Sequence, residues 1–154
     1  MEMKTGQRIV LSAASPPHLT LAWGWAGVVP FILLSWASVQ SDLGLAGFAT
    51  TTLVPYGAII LTFMGGIHWG LAMDRGEHAG KLFNTGILPS LLAVAAIVLP
   101  YKTALFVLVL GFIGLLVLDL RLVRGNIVPA WYGRLRLQLT AAVVTCLGVA
   151  GLAA

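Results

Sequence analysis

Charge is what this chain has least of. Only 9% of its 154 residues are Asp, Glu, Lys or Arg, against about 25% in a typical soluble domain, while 59% are hydrophobic. A mean hydropathy of +0.98 completes the contrast. These values exclude a freely soluble globular domain and point to an all-α membrane protein. Cysteine is almost missing as well: Cys146 is single, so no disulfide and no thiolate metal site can be built within one chain. The nine basic residues form no stripe or run. The net charge of +4 therefore carries no nucleic-acid signature and reads as a set of topology signals instead. No nucleotide-binding glycine loop, nucleophile elbow or paired-cysteine motif occurs. A metal centre is also poorly provided for, because His18 and His78 sit in a tail and a loop and no second ligand lies three or four residues from His68. No cofactor is expected.

What is present is a succession of apolar runs, each near the ~20 residues that cross a hydrocarbon core of ~30 Å. They predict a five-transmembrane-helix bundle with spans at about 19–38, 52–73, 82–99, 103–120 and 137–154. Residues 1–18 form a short cytoplasmic tail, and 19–154 a single transmembrane domain. Trp23, Trp25 and the internal Pro30 suit a retained first helix better than a cleaved signal peptide. Pro30 is expected to kink that helix. Thr50, Thr51 and Thr52 offer N-cap oxygens ahead of Pro55, which suits a first turn, so the second helix is expected to start there. The polar stretch Asp74 to Lys81 lies outside the bilayer. The tight Pro100-Tyr101-Lys102 connection makes spans three and four a helical hairpin, and Pro129 starts the last helix. Gly27 to Leu34 and Gly86 to Ala93 resemble one another, which suggests two parallel helix pairs plus a fifth helix.

Lys and Arg counts orient the bundle. One side collects Lys4, Arg8, Arg75, Lys81, Arg121, Arg124, Arg134 and Arg136, and the other only Lys102. Eight against one places the N-terminus inside and the C-terminus outside. Trp23, Trp25, Trp69, Trp131 and Tyr132 fall at inner ends and Trp36, Tyr56 and Tyr101 at outer ones, in keeping with interfacial aromatic belts.

Ionisable side chains then gather on one side. His68 lies roughly 8 Å short of the inner end of span two. Asp119 ends span four on that side, Arg134 and Arg136 enter span five there, and Asn84 opens span three, with Asp74 nearby. A carboxylate beside an imidazole or guanidinium can bind an anionic or quinone-like headgroup or relay protons, so His68, Asp119, Arg134, Arg136 and Asn84 form the candidate ligand or proton site. The plainer reading is that Asp119 and the arginines snorkel to water as interfacial residues, and that His68 donates to a neighbouring backbone carbonyl. The glycines of span two, Gly57, Gly65, Gly66 and Gly70, read as a packing surface that lets another helix approach backbone to backbone.

The blocks Tyr56-Gly57, Gly65-Gly66-x-His68-Trp69-Gly70, Pro89-Ser90 and Pro129-x-Trp131-Tyr132-x-x-Leu135-Arg136 resemble domain-of-unknown-function family 3429 (transmembrane protein 69-like), a family of small multi-pass inner-membrane proteins. The likeness covers nearly the whole chain. It implies an integral protein of the bacterial cytoplasmic (inner) membrane, related to one in mitochondria, and it implies no activity. Two functions are then weighed. The first is a non-enzymatic helix-packing accessory or assembly partner of a membrane complex, or a homo-oligomer, since such short loops leave little room for a soluble active site. The second is a quinone, lipid, small-molecule or proton-handling site centred on His68. Convergence of His68 and Asp119 on a cavity is the geometric observation that separates them.

Overall fold

The computed structural model describes residues 18–40, 42–73 and 79–154. The expected tail over 1–17 and most of the polar loop, with Asp74, Arg75 and His78, lie outside the described residues. Among the described residues six helices follow in order: α1 (His18–Ala26), α2 (Val29–Ser38), α3 (Leu43–Met73), α4 (Ala79–Val98), α5 (Tyr101–Arg124) and α6 (Ala130–Ala153). Of the described residues, four stretches are long and apolar enough to cross a membrane: 18–38, taking α1 and α2 together, and α3, α5 and α6. A shorter apolar helical segment covers Leu82–Val98.

The first apolar run is broken where proline predicts. Pro30 has no N–H to return to the carbonyl of Ala26, and α1 ends at that residue. A two-residue turn, Gly27-Val28, follows before α2 begins with proline in its first turn. Pro89 behaves differently, since α4 runs through it without interruption. The similar octets around Pro30 and Pro89 thus have different backbones. The turn exposes the Gly27 carbonyl, which accepts from the Tyr56 hydroxyl at 2.9 Å, and Phe31 packs edge-on against the Tyr56 and Phe112 rings.

The start of α3 corrects the sequence expectation. The cap is Asp42, whose Oδ1 accepts from the Leu45 N–H at 2.9 Å. Thr50, Thr51 and Thr52 cap nothing; their hydroxyls donate back to the carbonyls of Gly47 and Phe48 inside the helix. Pro55 sits within the helix, not in its first turn. The result is a helix of 31 residues, roughly 46 Å long at 1.5 Å per residue.

α3 is the axis of the bundle and packs on α2, α4 and α5, while α6 closes against α5 and α2. Its buried residues Ala49, Leu53, Gly57, Leu61, Gly65, His68 and Ala72 recur every three or four positions and so occupy one face. On α5 the buried face runs through Leu105, Leu108, Phe112, Leu115 and then Asp119, and on α6 through Arg136, Thr140, Val143 and Leu147. Three ionisable side chains, His68, Asp119 and Arg136, thus stand where the apolar register places core residues.

Candidate functional site

Helix length brings those three residues to one layer. His68 stands five residues before the end of α3, Asp119 five before the end of α5, and Arg136 six after the start of α6, each roughly 8–9 Å from its helix end. Their relative exposures are 1%, 1% and 4%. Asp119 is the hub: Oδ1 lies 2.9 Å from His68 Nε2 and accepts from the Tyr132 hydroxyl at 3.3 Å. Its other oxygen, Oδ2, accepts from Arg136 Nε at 2.5 Å. Arg136 Nη1 donates to the Met64 sulfur. The second nitrogen of the imidazole, Nδ1, lies 3.0 Å from Thr85 Oγ1, and the Thr85 hydroxyl also has the Leu82 carbonyl at 3.0 Å.

Proton bookkeeping at Thr85 ties these bonds together. A threonine hydroxyl has one proton to donate. Turned toward Leu82, it leaves its oxygen to accept from an Nδ1–H, and with Nε2–H donating to Asp119 the imidazole is cationic. Turned toward Nδ1, it pairs with a neutral imidazole whose only N–H points at Asp119. One hydroxyl rotation therefore accommodates one proton in the chain Thr85, His68, Asp119, with both ring nitrogens partnered either way.

The structure brings together three of the five sequence-derived candidates. Arg134 and Asn84 are exposed and make no bond to the cluster. For Arg134, Arg121 and Arg124, all exposed, the interfacial reading describes the placement; for Asp119 and Arg136 it does not, because both are buried. Thr85, Tyr132 and Met64 complete the cluster and were not in the candidate set. Among the described residues no three of His, Cys, Asp or Glu converge as a metal site would require.

The glycine set divides in the same way. A Cβ on Gly65 would meet the Gly86 carbonyl oxygen at 2.7 Å and Pro89 at 3.1 Å, and one on Gly57 would meet Leu108 at 2.8 Å. Among the described residues nothing lies within 4 Å of a Cβ on Gly66 or Gly70. Gly86, the partner of Gly65, fits against the Trp69 ring, where a Cβ would come within 2.2 Å. Close approach of α3 and α4 thus depends on Gly65 and Gly86, three and one residues from the histidine and the threonine that join the same two helices.

A cavity of about 330 Å³ adjoins the cluster, bounded by α1, α2, α3 and α6, with Met64, Tyr132 and Arg136 in its wall. Sequence comparison supplies the kinship of the chain. The family described as "Protein of unknown function (DUF3429)" matches residues 16–152. Transmembrane protein 69 of Xenopus tropicalis is 33% identical over 138 residues, covering 83% of this chain and 51% of the relative. The chain therefore spans about half the length of that curated relative. No solved structure matches. The family match over residues 16–152 and the apolar helices agree: the chain is an integral membrane protein of unknown activity and belongs to the DUF3429 family.

Proposed function

We propose that this protein is a five-span protein of the bacterial inner membrane, with its N-terminus inside and its C-terminus outside, whose His68–Asp119–Arg136 cluster is a small-molecule or proton-handling site. The topology rests on the eight-to-one Lys/Arg asymmetry. It is supported by α4, whose 20 residues reach roughly 30 Å. The function rests on the proton-accommodating chain from Thr85 through His68 to Asp119, which is buried and joined through Arg136 to the wall of a cavity that His68 and Asp119 do not themselves line. Ionisable residues in such a position are costly, and a purely apolar core would satisfy packing without them.

The test is proton flux in liposomes reconstituted with the purified protein. The wild type should collapse an imposed pH gradient faster than protein-free liposomes. His68→Gln, which can keep a hydrogen bond to Asp119 but has no titrating ring, should lose that excess while the protein stays folded. Flux equal to that of protein-free liposomes, together with unaltered ligand binding in His68→Gln, removes the proposal.

A second reading, a helix-packing accessory or a homo-oligomer, is favoured by one observation: the Gly66-x-x-x-Gly70 face of α3 is open. Under it Gly66→Leu with Gly70→Leu abolishes crosslinked complexes in mild detergent. A persistently solitary wild-type monomer counts against it.

A further inference from the structure

The cavity beside the cluster has a composition that narrows what can fill it. Its walls are mostly apolar, with Phe31, Ile60, Leu139 and Val143 among them. Two of its lining residues, Arg136 and Thr140, are 4% and 3% exposed and each has a polar atom without a partner among the described residues, Nη2 and Oγ1. A buried donor left unsatisfied keeps its full desolvation penalty, larger when charged, so two of them at one cavity ask for a common acceptor. Water answers only part of that request. The cavity volume of about 330 Å³ would hold on the order of ten waters at ~30 Å³ each, and most would face hydrocarbon with no bonding partner. An amphipathic occupant satisfies both ends, and the volume lies at the lower end of the ~300–1,000 Å³ typical of small-molecule sites.

Charge decides the head group. Arg136 is already neutralised by Asp119 at 2.5 Å. In the neutral-imidazole state, one of the two that the Thr85 hydroxyl accommodates, the cluster sums to zero and a buried anion would arrive without a counter-charge, whereas a neutral carbonyl oxygen adds no charge in either state. We propose that this cavity binds a lipid-soluble carbonyl compound of the quinone class, its ring between α3 and α6, a carbonyl oxygen accepting from Arg136 Nη2 and the Thr140 hydroxyl, and its tail leaving past the exposed Trp23 on α1. The proposal rests on the small-molecule reading of the site and names its ligand.

Binding of a decyl-substituted benzoquinone to the full chain in phosphatidylcholine nanodiscs tests it, with empty nanodiscs as the partition control and palmitate as the anionic arm. Quenching of tryptophan fluorescence should saturate for the quinone and not for the empty discs. Thr140→Val keeps the side-chain shape, removes the hydroxyl and should weaken binding about five- to tenfold. Ile60→Phe and Leu139→Phe, which fill the cavity from different helices, should each abolish the saturable component, and either folded variant suffices. Only non-saturable partitioning, saturation indifferent to Thr140→Val and to both filling variants, or saturable binding of palmitate in place of the quinone overturns the proposal. Such failure leaves the proton-flux result of His68→Gln standing by itself, and a flux failure leaves the binding result standing.

Discussion

Two faces of α3 are built from the same small residues, and they meet different surroundings. The inward face, with Gly57, Gly65 and His68, is in contact along its length: Gly57 against Leu108, Gly65 against the Gly86 backbone, His68 against Thr85 and Asp119. On the other face, beside exposed Ile59, Phe63 and Met73, a Cβ on Gly66 or Gly70 would meet nothing within 4 Å among the described residues. In lipid there is no hydrophobic effect to separate the two, so the difference lies in packing and hydrogen bonding alone. The lesson is that a glycine on a membrane helix gains meaning only from what its missing Cβ would strike.

The comparison breaks most visibly at the polar end of the inward face. Asp119→Leu leaves the Arg136 guanidinium and the His68 Nε2 buried without their acceptor, and should cost about 3–5 kcal/mol in detergent unfolding. Adding Arg136→Leu to it should restore much of the loss, because no uncompensated charge is then buried. Unfolding of Asp119→Leu at the wild-type midpoint would show that the cluster is not closed. A smaller effect comes from Gly65→Ala, where the new methyl meets backbone and proline ring atoms that cannot rotate away, for about 1–3 kcal/mol. Smallest is Gly66→Ala, expected within about 0.5 kcal/mol of wild type. Equal losses for the two alanines, measured in the same detergent, would mean that something covers Gly66 in that preparation.

How far this was legible in the sequence differs from residue to residue. The apolar runs located the helices because length and hydropathy suffice for that. The start of α3 was misplaced because three consecutive threonines offer cap-type oxygens wherever they stand, and only the backbone decides whether those oxygens look forward to N–H groups or back to carbonyls. Arg134 and Arg136 looked equivalent, yet two residues apart on a helix they face roughly opposite directions. The heptad-like run Arg136, Thr140, Val143, Leu147, Ala150 was the available signal for the buried one. Thr85 gave no signal, since a threonine in a span is unremarkable until its register toward α3 is known. Gly86 was hidden for the same reason.

Chain order gives the pairing at Asp119 a consequence for how the protein enters its membrane. Asp119 and Arg136 are 17 residues apart, on a hairpin turned by Asn126 in a left-handed conformation with φ of 53°, whereas His68 is 51 residues away from Asp119. Closing the short loop costs less chain entropy than closing the long one. Asp119 and Arg136 thus belong to neighbouring helices that can meet during insertion and enter the inner edge of the hydrocarbon already paired. The histidine waits in a segment synthesised earlier, for a carboxylate that follows 51 residues later. Translation order and electrostatic cost run in the same direction.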